Sequence, residues 1–110
     1  MPPIRSIQTT AASGARTLDP TPLEVYASEF NVQWVFNRTG AGHCQAEVQY
    51  TLDNILEAGV SALWVVSKVL TTADTATAQT ITHPMAAIRL AITSASGNNQ
   101  VAFRVLQTGS

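Results

Sequence analysis

Three side chains in this 110-residue chain are of the kinds that bind metals or attack electrophiles near neutral pH: His43, Cys44 and His83. A cysteine beside a histidine base makes a thiolate nucleophile, and histidines one helical turn apart hold zinc. Neither arrangement is present. His43 and Cys44 are adjacent in a run of alternating polarity, so in a strand they point to opposite faces. No C-x-x-C, H-x-x-x-H or HExxH spacing occurs,. The histidines adjoin turn-like stretches, "GAGHC" and "THPM", and both read as surface residues,.

The carboxylates Asp19, Glu24, Glu29, Glu47, Asp53, Glu57 and Asp74 are dispersed, and no spacing marks two of them as a glycosidase-like pair,. "TGAG" (39–42) lacks the lysine and helix of a phosphate loop, and no serine stands in a nucleophile-elbow context,. The expectation is a protein that is not an enzyme and that uses no metal and no cofactor.

Composition points the same way. The chain is 45% hydrophobic and only 12% charged, with a net charge of −1, so Thr, Ser, Gln, Asn and Ala must cover most of its surface. A surface poor in ionised groups is cheap to desolvate against another protein. The six basic residues are scattered, with no stripe to neutralise a row of phosphates, which argues against nucleic acid as a partner,. One cysteine excludes an intrachain disulfide,. No apolar run approaches a membrane span, so no membrane contact is expected. The N-terminus lacks the apolar stretch of a signal peptide, which suggests synthesis in the host cytoplasm.

The elements that would carry these residues are strands. Residues 1–22 hold four of the five prolines and read as an extended N-terminal arm, with "PIRSIQ" as a docking arm or an edge strand,. Residues 23–110 read as one domain. In "NVQWVF", Val32, Trp34 and Phe36 share one face. In "CQAEVQYTL" (44–52), alternation puts Cys44 among the buried positions, and "TGAG" between the two runs suggests a hairpin,. "AIRLAITSASGNNQVAFRVLQ" reads as a second hairpin around "ASGNN", with Val101, Phe103 and Val105 inward,. Residues 53–61 fit a loop or a single helical turn, followed by strands at about 62–70 and 77–82 and a turn near Asp74. About seven short strands without βαβ alternation predict an all-β fold, an antiparallel β-sandwich that is jelly-roll-like.

The segment "ALWVVSKVL" is apolar on both faces, with Leu63, Val65 and Val69 on one and Trp64, Val66 and Leu70 on the other. A strand of that kind at the surface of a two-layer fold calls for a cover, such as another subunit. Ala102 and Leu106 on the outer face of the last strand, and Ile4 and Ile7 in the arm, suggest the same. The candidate subunit interface is thus Ile4, Ile7, Leu63, Trp64, Val65, Val69, Ala102 and Leu106. Trp64 alternatively suits stacking on a sugar, as in a carbohydrate- or receptor-binding module.

Residues 30–109 also resemble a group of small proteins encoded among the virion-structure genes of tailed bacteriophages. The pattern is a "VQYT-D" strand, a Trp-containing strand, a proline followed by "AIRL", and a terminal "V-F-VLQ" strand. Residues 53–61 look like an insertion in it. The resemblance implies a virion component, a capsid decoration or cement protein on the capsid surface. Such a protein binds the head shell as a homo-oligomer, dimer or trimer, and bridges major capsid protein subunits. A head–tail, tail or fibre component is the neighbouring alternative.

Overall fold

The computed structural model describes residues 4–25, 30–57 and 61–108. Every regular element among them is a strand: β1 (Ile4–Ala12), β2 (Arg16–Thr17), β3 (Thr21–Pro22), β4 (Val32–Thr51), β5 (Val65–Leu70), β6 (Ala76–Ile81) and β7 (Ala87–Gln107). All pairings are antiparallel. β4 and β7 run the length of the molecule as one ribbon, paired from Val32 opposite Gln107 to Thr51 opposite Ala87.

This ribbon corrects the expectation of two hairpins. "TGAG" and "ASGNN" do not reverse the chain. They lie opposite each other, Gly40 facing Asn99 and Gly42 facing Gly97, and the ribbon folds over at that point. Gly40, Gly42 and Gly97 all have positive φ, the conformation glycine adopts without steric cost. A Cβ on Gly42 would lie 2.2 Å from the Ser96 carbonyl oxygen. The signals that mark a turn in a short strand therefore mark a sharp bend in a long one, because the partner strand supplies a matching break.

Folding over divides each long strand between two layers. One layer is β1, the C-terminal half of β7, the N-terminal half of β4, and β6. The other is β2 with β3, the N-terminal half of β7, the C-terminal half of β4, and β5. Counting each half as a strand and β2 with β3 as one, the layers read 1-8-3-6 and 2-7-4-5 in chain order. That is a jelly roll, an antiparallel sandwich made by rolling up one ribbon.

Alternation fixes which face of the ribbon lies inside. Along β4, Val32, Trp34, Phe36, Cys44, Ala46 and Val48 are buried, all at even positions. Along β7 the parity changes, from Ile88, Leu90 and Ile92 to Val101, Phe103 and Val105. The cause is a bulge: Gln45 pairs with Ser94 but Ala46 with Ile92, leaving Thr93 as the extra residue. Without it one half of β7 would turn its apolar side chains to solvent. These residues form one core cluster, with Trp34 and Phe103 at 6.1 Å between ring centroids. Full burial of such a side chain contributes about 2–3 kcal/mol.

The N-terminal segment is extended, as expected, but it belongs to the sandwich. β1 pairs with β7 along nine residues, and Ala12, Leu18 and Thr21 are buried. The edge-strand form of "PIRSIQ" is thus the one observed for residues 4–8. Residues 53–57 contain no helix but a short turn, Glu57 N–H donating to the Asn54 carbonyl at 3.3 Å; residues 58–60 lie outside the described residues. The expected turn is at Asp74, whose carboxylate accepts from Thr71 N–H at 2.8 Å.

Two buried side chains secure the ribbon, one at its bend and one where Val32 faces Gln107. At the bend Arg38 donates to Asn99 Oδ1 (2.8 Å) and to the Thr72 carbonyl (2.7 Å). At the opposite end the Gln107 amide accepts from Glu24 N–H (2.8 Å) and donates to the Glu24 carbonyl (2.9 Å), docking the loop after β3 as a backbone rung would.

Candidate functional site

The chemically capable side chains are engaged in the fold. Burial pushes the Cys44 thiol above its ordinary range, opposed by the charge of Arg38; a thiol held neutral is a poor nucleophile. His43 is half-buried, which corrects the expectation of a plain surface residue. Its ring nitrogens lie 3.1 Å from Ser94 Oγ and 3.0 Å from Thr72 Oγ1, so it ties β4, β7 and the β5–β6 turn together. His83 is exposed, edge-on to Tyr50. Asp53 accepts from Leu63 N–H at 2.8 Å and closes the loop before β5. Glu47 accepts from Gln49 at 3.0 Å. Among the described residues no three His, Cys, Asp or Glu side chains gather.

What remains is surface. The sequence-derived interface residues divide into two patches on opposite layers. Ile7, Ala102 and Leu106 lie on the outer face of the first layer, where the cross-strand rows are Arg5–Leu106–Gln33 and Ile7–Arg104–Val35. Ile7, Val35 and Leu106 line an open groove of about 310 Å³ that Arg5, Arg104 and Gln33 border. Both arginines are exposed, and neither has a hydrogen-bond or ion-pair partner among the described residues. The strands of this layer contain no Asp or Glu at all. Ile4 does not belong to the patch: it stands opposite Gln107 on the inner side and is half-buried.

The second patch follows β5 and the loop before it. The expected two faces of this strand are rearranged by a bulge, because Val48 pairs with Lys68 but Gln49 with Val66, leaving Ser67 unpaired. Val66 and Val69 therefore share the outer face with Gln49 and Glu47,. Trp64 joins them by stacking on Arg89, whose guanidinium carbon lies 4.0 Å from the ring centroid. Leu70 alone is fully buried. Val65, Val66 and Val69 are exposed, and Leu52, Leu56 and Leu63 are each at least 70% exposed.

Sequence reasoning missed Arg5, Gln33, Val35 and Arg104 in the first patch and Leu52, Leu56 and Val66 in the second. For the first, the signal was parity: Arg104 alternates with Ala102 and Leu106, and Arg5 with Ile7. For Val66 the bulge hides it, since strict alternation places that residue on the wrong face.

No protein-family model and no curated protein matches the chain. Among solved structures the chain is similar to the SPBc2 prophage-derived protein YomS, with a TM-score of 0.59 at 9% identity, over 96% of this chain and 96% of that one. It also matches a structure of Bacillus endospore appendages, described as a novel family of disulfide-linked pili, with a TM-score of 0.46 at 12% identity, over 99% of this chain and 90% of that one. The second likeness is too distant to carry an argument. The first establishes a shared fold: this chain has the all-β architecture of a small prophage-derived protein.

Proposed function

We propose that this protein is a structural subunit of a phage particle, a capsid decoration or cement protein. It binds the outside of the head shell as a homo-oligomer and bridges major capsid protein subunits. The observation that carries the reading is the pair of exposed apolar patches, Ile7 and Val35 on one layer and Val65, Val66, Val69, Leu52, Leu56 and Leu63 on the other. Large apolar side chains left in water on a small domain mark contact surfaces. The resemblance to phage virion proteins and the fold shared with a prophage-derived protein support the particle as the setting. Each contact stabilises the shell by mass action, and many copies acting together turn weak contacts into durable ones. Synthesis takes place in the host cytoplasm and the working location is the capsid surface.

The test is to add purified full-length protein to heads lacking it, sediment the particles and locate the added density by electron microscopy. Density on the outer shell at sites joining capsid subunits is the expected result. Density confined to the neck, tail or fibres would replace the decoration role with that of a tail or connector component. Trp64 offers little to the carbohydrate reading, because Arg89 already covers one face of the indole.

A further inference from the structure

We infer that copies of this chain associate head to tail, the Leu52–Glu57 loop and β5 of one copy seating in the Arg5–Arg104 groove of the next. Only in taking self-assembly as purposeful does this rest on the structural role above.

The argument begins with symmetry. A two-fold contact places one patch on itself. Pairing the first patch with itself would bring four arginines together with no carboxylate from any strand of that layer. The second patch supplies what the first lacks. Glu57 is exposed in a loop whose Leu52 and Leu56 stand in water, and Glu47 lies opposite Val69 on the outer face of this layer. Lys68 stands opposite Val48, off the outer face, and Arg89 is occupied by Trp64 and Gln49, which among the described residues leaves Glu57 as a free anion beside the leucines. The apolar halves also match: a groove lined by Ile7, Val35 and Leu106 meets projecting leucines.

Direct strand addition at the β5 edge is the less suitable contact. Lys68 and the bulge at Ser67 are the devices by which edge strands resist pairing,. The β5 region therefore offers side chains rather than a backbone template. Because the two patches lie on opposite layers, each copy has one donor and one acceptor surface. Repetition of such a contact closes a ring of three or more copies or continues as a chain, and it excludes a closed dimer.

The experiment is charge reversal with complementation, read as mass in sedimentation equilibrium at low salt. Wild-type protein is expected as a trimer or larger assembly. Arg104→Glu and Glu57→Arg are each expected to shift the population to monomer, with circular dichroism and melting unchanged because both side chains are exposed. An equimolar mixture of the two variants associates again as alternating pairs, even-numbered rings or chains, since each variant's groove accepts only the other's loop; a three-membered ring, which cannot alternate, would reopen as pairs. A wild-type monomer or dimer overturns the inference, as does retention of mass by either single variant or a mixture that stays monomeric. Binding of the wild-type protein to phage heads is measured separately. Wild-type protein that stays monomeric yet coats the heads would sink the head-to-tail contact and leave the structural role standing, and wild-type protein that assembles but never binds heads would do the reverse.

Discussion

Arg38 and Asn99 meet beneath the bend of the ribbon, guanidinium Nη1 to amide Oδ1 at 2.8 Å, with both side chains buried. The same Asn99 amide group lies within hydrogen-bond distance of the carbonyls of Ala12, His43 and Ser96. One side chain thus serves β1, β4 and β7 where the two layers join. Asn99→Leu is expected to lower stability by about 3 kcal/mol, because a buried cation and several carbonyls lose their partner together. Arg38→Met costs less, since it removes the buried charge along with its bonds. Urea unfolding of the two variants ranks them.

Gly42 and Gly14 make a matched pair of sites. Gly42 has φ of +128° and no room for a Cβ, whereas Gly14 has nothing within 4 Å of the same position. Gly42→Ala is expected to destabilise by about 2–3 kcal/mol or more. Gly14→Ala should stay within roughly 0.5 kcal/mol of wild type. Thermal melts of the two proteins provide the comparison, and equal melting points would show that the bend needs no glycine.

Burial raises the Cys44 thiol above its ordinary value of 9.0. Below that value both folded and unfolded chains keep the proton and the thiol adds no pH dependence. Above it the unfolded chain releases the proton while the folded one retains it, so stability falls as pH rises. Urea titrations from neutral pH to about pH 10 are expected to show this decline, reduced in Cys44→Ala. The folded thiol should also resist a disulfide reagent that labels the unfolded chain at once.

Arg89 stacks on Trp64 and donates to Gln49 Oε1 at 2.8 Å. Arg89→Ala is expected to cost about 1 kcal/mol and to move the Trp64 emission to longer wavelength. Iodide should quench that component more strongly, while the buried Trp34 is unaffected.

Period-two alternation made the core legible before any coordinates, because a strand with one wet face must repeat every second residue. Val32, Trp34, Phe36, Cys44, Val101, Phe103 and Val105 all lie where that pattern puts them. The long ribbon was not legible, since a glycine with positive φ looks alike in a tight turn and in a bend; only the partner strand distinguishes them. The bulges at Thr93 and Ser67 were equally silent. Each is defined by the residue across the ladder, which a single run of sequence does not contain. The interface suffered for the same reason: alternation set Ala102 and Leu106 on the outer face of the last strand, but joining them to Ile7, Val35 and Arg104 required knowing that β4 and β1 flank β7.

The pairing of β4 with β7 also governs how the chain can fold in time. Its shortest rung in sequence, Thr51 to Ala87, spans 36 positions (51 to 87), and β1 has as its strand partner only the far half of β7. The first described strand to emerge from the ribosome must therefore wait for the last. Topologies dominated by such distant pairings fold slowly, in roughly milliseconds to seconds, after a large loop-closure cost. Zipping would start at the Thr51–Ala87 end and reach the bend before β1 can dock. Until then the edges of β4 and β7 stand unpaired, so the chain is most open to wrong strand pairing between its release from the ribosome and the docking of β1.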